Sequence, residues 1–274
     1  MAEEKIKVYD INGNFKEEME LPEFMKSEYR PDVIKKVVTF QQSSKRQPYG
    51  ADPLAGKRTS AHYHGRRRRE RWSMMGRGMS RMARIHGKVG YLLWTARFVP
   101  QARKGRRAHP PKSEKVWIKK INKKELLLAL RSALAATRNI KLLKLRGHKI
   151  DESFKYDLPI IFEDSIEILK KTKDVVALLK KIGLDKEIER CKEVKVRSGK
   201  GKSRGRRYKK KKGILFIVSG DCDLIKASRK IAGVDVVKVD DLKDNIELLA
   251  PGSKAGRLTI LSKSAFLKLC DILK

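Results

Sequence analysis

Cysteine is nearly missing from this chain. Cys191, Cys222 and Cys270 are the only three in 274 residues, far apart, odd in number and without a CxxC pair. That pattern excludes a disulfide framework and offers no zinc-ribbon or thiol-redox spacing, so they read as reduced thiols. Long apolar runs are missing too. No stretch approaches the roughly 18–20 residues that span a bilayer, and the opening MAEEKIKVYD has no apolar signal core. The expectation is a soluble protein that is not exported and has no membrane partner. Acidic residues are the third shortage: 32 Asp and Glu stand against 67 Lys and Arg, a net charge of +35. A chain so short of counter-charge needs a polyanion, and with membrane set aside that means nucleic acid or an acidic protein. What is present suffices for folding, since 40% hydrophobic content builds a core for one sizeable domain or two small ones.

The excess charge is concentrated. Residues 45–112 hold 19 Lys and Arg against two acids, Asp52 and Glu70, and residues 195–213 hold 11 basic residues and no acid. These stretches carry 28 of the 35 net charges and leave +7 for the other 187 residues. The organisation expected is a globular body, residues 1–44 and 113–274, with a long basic insertion at 45–112 and a second basic loop at 195–213.

In the body, Ile6 to Ile11 and Phe15 to Leu21 flank Asn12-Gly13, a dipeptide suited to a tight hairpin turn. Pro31 fits the first turn of a helix that places Ile34, Val37, Val38 and Gln41 on one face to about Ser43. Asn122 with Glu125 has capping-box spacing, and Leu126, Leu127, Leu130, Ala133, Leu134 and Thr137 repeat at helical spacing. Leu158 to Phe162 reads as a strand, and Thr172 to Ile182 as an amphipathic helix closed by Gly183. Ile214 to Val218, Val234 to Val239 and Leu258 to Leu261 are continuously apolar or β-branched, as strands buried on both faces tend to be. Leu224 to Ala232 forms a helix ending at Gly233, and Ser262 caps a last helix whose Phe266, Leu269, Cys270 and Leu273 share a face. The fold class is α/β: a mostly parallel sheet covered by helices, Rossmann-like without a dinucleotide site, carrying a long extended basic loop.

A segment as long as 45–112 without a sustained hydrophobic period is functional or disordered. Its eight glycines, 14 arginines and five lysines leave too little apolar surface to offset backbone entropy, so it is expected to be ordered by its partner. Trp72, Tyr91, Trp94, Phe98, Met74, Met75, Met79 and Met82 are interleaved with the arginines. RNA rewards this mixture, because guanidinium forks pair with phosphates and stack on bases. Two arms of half the segment each reach at most roughly 100 Å. The residues expected to contact RNA are Lys45, Arg46, Lys57, Arg58, Arg66, Arg67, Arg68, Arg69, Arg71, Arg77, Arg81, Arg84, Arg97, Arg103, Lys104, Arg106, Arg107 and His109 in the insertion. In the second loop, where Gly199, Gly201 and Gly205 alternate with bases, they are Arg197, Lys200, Lys202, Arg204, Arg206, Arg207, Lys209 and Lys210.

Other motifs fall short. Gly50 to Thr59 has five residues between its glycines where a phosphate loop has four, and Arg58 stands where Ser or Thr belongs. Ser219-Gly220-Asp221 with Asp240 downstream has one glycine and fails the dinucleotide fingerprint. His62 and His64 could share a metal were other ligands near, but among acids the segment offers only Asp52 and Glu70, and RNA contact is the preferred reading for these histidines, for His86 and for His109. Glu163-Asp164 and Asp240-Asp241 sit near helix starts, where dipole compensation explains them. The runs Arg66–Arg69 and Lys209–Lys212 share the composition of nuclear import patches. No catalytic constellation, metal, cofactor or small-molecule substrate is expected.

Five segments resemble the universal large-subunit ribosomal protein four in its archaeal and eukaryotic form: RPDVIKKVV at Arg30–Val38, QPYGADPLAGKRTSA at Gln47–Ala61, FVPQARKGRRAHPPKSEKVWIKKINKKE at Phe98–Glu125, LALRSALAAT at Leu128–Thr137 and RSGKGKSRGRRYKKKKG at Arg197–Gly213. The resemblance extends over essentially the whole chain. It implies an α/β body on the outer face of the large subunit and a loop that penetrates rRNA and helps line the nascent-peptide exit tunnel. Its partners would be large-subunit rRNA, neighbouring ribosomal proteins and the nascent peptide in transit. The loop tip would fall near Arg66 to Met82, with Arg69, Arg71, Trp72, Met74 and Arg77 nearest the tunnel, and with GKR at Gly56–Arg58 and GRRAHPP at Gly105–Pro111 on the two arms. The implied role is structural, in subunit assembly and in the cytoplasm, and the lack of the long C-terminal extension of eukaryotic members suggests an archaeal source. Two other readings stand beside it: a nucleotide-dependent enzyme built on the sheet, and a general nucleic-acid-binding module outside the ribosome.

Overall fold

The computed structural model describes residues 5–86, 90–151 and 154–273. The chain divides into two units, Met1–Lys45 with Ile118–Lys274, and Arg46–Trp117. The first unit is the body. Its hairpin is β1 (Lys5–Tyr9) and β2 (Phe15–Glu20), antiparallel, with Gly13 at φ 83° in the turn. Helix α1 (Pro31–Ser44) starts at Pro31 and buries Ile34, Val37, Val38 and Gln41, as the spacing predicts. After the insertion come α2 (Lys123–Thr137), α3 (Ile140–Arg146), β3 (Ile160–Phe162), α4 (Thr172–Lys181) and α5 (Asp185–Lys192). A hairpin of β4 (Val194–Val196) and β5 (Tyr208–Lys210) precedes β6 (Leu215–Val218), α6 (Asp223–Ser228), β7 (Asp235–Lys238), the short turns α7 (Val239–Leu242) and α8 (Ile246–Leu249), β8 (Thr259–Ser262) and α9 (Lys263–Ile272).

The main sheet has the order β2-β1-β3-β8-β6-β7. Every pairing except β1 with β2 is parallel. Alternate residues of the inner strands feed two cores. Leu215 and Ile217 of β6 join Ile161 and Leu261 against α1, α2 and α9, through Ile34, Val38, Leu130, Leu134 and Phe266. Phe216 and Val218 join Ile160, Phe162 and Ile260 against α4, α5 and α6, through Val175, Leu178, Leu179, Ile188 and Leu224. Helices on both faces explain why these strands are apolar without alternation.

Two local expectations fail. Asn122 precedes α2, but its side chain makes no cap bond and Glu125 accepts from Lys36 at 2.7 Å, so the capping box is not formed. The helix after β6 stops at Ser228, short of Ala232. Ser262 does cap α9, its hydroxyl accepting from the Ala265 N–H at 3.2 Å.

The body also holds charges that its apolar pattern did not announce. Arg257 is fully buried and donates from all three nitrogens: to the Gly213 carbonyl at 2.6 Å, Leu248 at 2.9 Å, Ile214 at 3.2 Å, Gly233 at 3.3 Å, and the Asp235 carboxylate at 2.6 Å. It thereby ties the starts of β6 and β7 to the segment leading into β8. Glu187 on α5, also buried, accepts from Arg190 at 2.6 and 2.8 Å, from His148 Nδ1 at 2.7 Å and from the Lys149 N–H at 3.0 Å. Because the Leu258 N–H donates to His148 Nε2 at 3.3 Å, the ring proton sits on Nδ1 and points at Glu187.

Candidate nucleic-acid interface

The second unit, Arg46–Trp117, carries most of the sequence-predicted contacts. Its arms face each other near their ends. Ala51 N–H donates to the Pro111 carbonyl at 2.9 Å, and Tyr49 stacks on Trp117 with centroids 5.4 Å apart and planes 25° apart. Gly56 explains how closely GKR approaches GRRAHPP: a Cβ there would lie 2.7 Å from the Arg106 Cα, and φ is +72°. A Cβ at Gly105 would overlap the Val99 carbonyl oxygen. Glycine at position 56 therefore sets the arm spacing, and glycine at 105 permits a tight turn within its own arm, rather than supplying looseness. Within Gly50–Thr59, Asp52 takes the Leu54 N–H and pairs with Arg58, which together hold its carboxyl below the usual range.

Arg46 lies 4.2 Å from the Trp117 ring centroid and 5.2 Å from that of Tyr49, and Lys115 lies 4.6 Å from Trp117. An open recess of about 640 Å³ runs past Tyr49, Arg107, His109, Pro110, Pro111, Lys112, Glu114, Lys115 and Trp117. The Trp117 indole N–H is buried without a partner among the described residues. Aromatic faces and cations in one recess suit a nucleobase and its phosphate. Sequence reading passed over Tyr49, Lys115 and Trp117, because Trp117 and Lys115 lie beyond the charge-dense segment and Tyr49 carries no charge.

Further along, the arms meet in a small ladder. His62 bridges Arg84 and Arg84 bridges Ala96, both antiparallel. Around it lies an interior that the composition did not predict: Met74 at 1%, His64 at 6% and Ile85 at 7% exposure, with Trp72 and Trp94 rings 5.9 Å apart. Imidazole and indole rings supply the apolar surface here, and a search for hydrophobic period does not count them. Met74 is thus a packing residue in this structure. His86 joins His62 and His64, and burial together with those two neighbouring rings holds its pKa below the ordinary value.

The basic residues divide into two groups. The side chains of Lys57, Arg66, Arg68, Arg69, Arg81, Arg103, Lys104, Arg107 and His109 are exposed and make no hydrogen bond or ion pair among the described residues, so their donors are available. Arg67 is exposed too, 3.8 Å from Glu70, and Arg106 is half-buried. Arg71 and Arg77 lie 5.5 and 4.1 Å over Trp72 and Trp94. Arg84 and Arg97 turn inward: Arg84 donates to the Trp94 carbonyl at 2.9 Å and to Ser80 at 3.0 Å, and Arg97 donates to the Arg103 carbonyl at 2.7 Å. Lys45 lies in the first unit, where it pairs with Glu247 and donates to Asn245 at 2.9 Å.

The second basic segment is borne on a hairpin of β4 and β5. Val194, Lys195 and Val196 pair with Lys210, Lys209 and Tyr208, all exposed. Arg197 braces it, donating to the Arg206 carbonyl at 3.0 Å and to Tyr208 at 3.3 Å. Lys200, Lys202, Arg204, Arg206, Arg207, Lys209 and Lys210 remain exposed around it. At the strand ends of the main sheet, where a dinucleotide fold binds phosphate, Glu167 accepts from the Ser219 N–H and hydroxyl at 2.8 and 2.9 Å and from Ser262 at 2.6 Å. A carboxylate in that place repels phosphate.

A family model described as the ribosomal protein L4/L1 family matches residues 19–272. The chain belongs to that family. Similar L4/L1 relatives carry the name large ribosomal subunit protein uL4. That of Methanosphaera stadtmanae is 46% identical over 269 residues, covering 98% of this chain and 97% of the relative. That of Nanoarchaeum equitans is 49% identical over 266 residues, covering 95% and 96%. That of Methanocaldococcus jannaschii is 46% identical over 266 residues, covering 97% and 98%. These are names of structural ribosomal proteins, and this L4/L1 chain is not an enzyme. Among its described residues, no helix is long and apolar enough to cross a membrane.

Proposed function

We propose that this chain is a structural protein of the large ribosomal subunit that binds large-subunit rRNA through its insertion and its basic hairpin, supports subunit assembly in the cytoplasm, and helps line the nascent-peptide exit tunnel. The observation that carries the reading is the pairing of outward, unspent guanidiniums with the aromatic recess at Tyr49 and Trp117. Phosphate neutralisation supplies affinity, and stacking with shape fixes register. On this reading Arg69, Arg71, Trp72 and Arg77 approach the tunnel, while Met74 supports them from within. Neighbouring ribosomal proteins and the nascent peptide are the other partners.

The test is affinity for large-subunit rRNA fragments across salt, with and without residues 60–95. A steep fall with salt and a loss of about 100-fold or more on trimming are expected, since every phosphate that is no longer neutralised keeps its condensed counterions. Equal affinity for any duplex, with no loss on trimming, favours a general nucleic-acid module instead. Persistence on large subunits through a high-salt wash separates the same two readings, and crosslinks from positions 69 to 77 to a stalled nascent chain test the tunnel assignment.

A further inference from the structure

Three histidines converge in the insertion although 22 residues separate the last from the second. His62 and His64 lie on one extended segment, and the bridge from His62 to Arg84 brings His86 back beside them. Ring centroids are 4.1 Å apart for His62 and His64, 4.4 Å for His62 and His86, and 4.8 Å for His64 and His86. One ring nitrogen of each lies within 4.8 Å of those of the other two. His62 and His64 alone cannot hold a metal, and His86 is the third ligand that the fold brings to them.

Backbone carbonyls orient two of the rings. His64 Nε2 lies 3.1 Å from the Arg84 carbonyl oxygen, and His62 Nδ1 lies 3.3 Å from that of Ser60. A carbonyl oxygen only accepts, so those nitrogens carry the protons, and His64 Nδ1 and His62 Nε2 keep open lone pairs. A ring N–H tied to a carbonyl with the opposite nitrogen open is the outer-shell arrangement of a metal-ligating histidine. His86 Nδ1 is buried and has no hydrogen-bond partner among the described residues, which is costly for the fold unless something binds there.

We propose that His62, His64 and His86 bind one divalent transition-metal ion, Zn²⁺ by preference, in the interior of the insertion. Imidazole nitrogens suit zinc, whereas Mg²⁺ and Ca²⁺ take oxygen ligands, and the group contains no carboxylate. Tetrahedral zinc with Zn–N near 2.0–2.1 Å sets ligand nitrogens about 3.3 Å apart, so the rings close inward by roughly 1 Å or more on binding. Trp94 and Trp72, each 5.4 Å from a cluster ring, His64 and His86 respectively, wall the site. The fourth position is left to water or to an RNA oxygen. Bound zinc ties the segment at 62–64 to the one at 86. The exposed arginines more than about 8–10 Å away are screened at ordinary ionic strength, whereas the half-buried Arg84, whose carbonyl holds His64, opposes the cation directly.

The experiment titrates buffered Zn²⁺ into the purified full-length chain, with Co²⁺ as the spectroscopic probe. One ion per chain, tetrahedral Co²⁺ absorption and Co²⁺ quenching of tryptophan emission are expected. His64→Ala or His86→Ala weakens Zn²⁺ binding by at least about 100-fold, since loss of an outer-shell partner alone approaches that. Cys222→Ser leaves affinity unchanged. His86→Cys keeps the ion and adds a thiolate-to-Co²⁺ charge-transfer band, which a packing role for His86 does not produce. The titration is repeated on the chain bound to a large-subunit rRNA fragment, so that ordering of the insertion by RNA is covered. Equal Zn²⁺ binding by the parent chain and by the variant with all three histidines changed to Ala, in both states, overturns the proposal, and it does so whether or not the ribosomal reading holds.

Discussion

The body and the insertion use arginine in opposite ways. In the body, Arg257 is fully buried and gives all three nitrogens to carbonyls and to Asp235. In the insertion, most guanidiniums face outward, and the two that turn in, Arg84 and Arg97, hold carbonyls of adjacent segments. Outside its basic hairpin the body carries little net charge, so its two apolar layers decide stability. The insertion carries a large uncompensated charge over an interior of Met74, Ile85 and a few rings. Stability is therefore lodged in the layered body, and affinity for a polyanion in the insertion and the exposed basic hairpin, and a substitution should move one without the other.

The sharpest way to break that comparison is Arg257→Met. It leaves Asp235 with Lys212 alone, at 2.8 Å, and removes the donor from four carbonyls. Unfolding of the full chain in urea should show a loss of about 3–5 kcal/mol, the scale for removing one member of a buried pair, while rRNA affinity of the folded protein stays nearly constant. A loss under about 1 kcal/mol would mean that Arg257 is a passenger and not a brace.

Glu187 gives the next largest effect. Burial alone would raise its pKa, but the bonds from Arg190 and His148 hold it down to about 2, below an ordinary 4.5. Burial also holds His148 below its ordinary 6.5, outweighing Glu187. Both depressed values work in the same direction: the unfolded chain takes up protons first as pH falls. The contribution is therefore fully present above about 6.5, starts to fall as His148 titrates in the unfolded chain, and falls further from about 4.5 toward about 2 as Glu187 does. Glu187→Gln should cost about 3 kcal/mol at neutral pH and flatten the lower part of that profile. An unchanged profile would remove Glu187 from the account.

Trp117→Ala probes the other side. Loss of one stacking platform should weaken rRNA binding by about 1–3 kcal/mol and leave the slope of affinity against salt unchanged, because no charge is removed. A change in urea unfolding of the body as large as the change in affinity would show that the recess is structural.

What the sequence made legible follows from how far each signal travels. Strands β6 and β8 were readable because a continuous apolar run states its own burial, and Ser262 because a cap acts on a residue three positions away. Helix α3 was not, since Leu143 is its one buried residue and seven residues give no period. Arg257 looks like any base before a strand, and its five acceptors come from three separate places in the chain, at 213–214, 233–235 and 248. The interior of the insertion was hidden for the same reason: His64 finds Arg84 at a separation of 20 residues, and only a bridge between extended segments brings them together.

The smallest expected effect is the most discriminating for the insertion. Arg66, Arg67, Arg68 and Arg69 are all exposed, and apart from Arg67, 3.8 Å from Glu70, none is engaged among the described residues. Changing all four to Lys preserves every charge, so counterion release and the salt slope should not move. What changes is geometry: a guanidinium pairs with phosphate through two parallel N–H groups and stacks on a base, and an ammonium does neither. If the insertion is fitted to its RNA, the quartet together should lose about 1 kcal/mol for rRNA fragments, and less for an unrelated duplex at the same salt. Equal affinities for both RNAs would mean that the 14 arginines against five lysines are a reservoir of charge, and the contrast between a braced body and a fitted insertion would reduce to one of net charge alone.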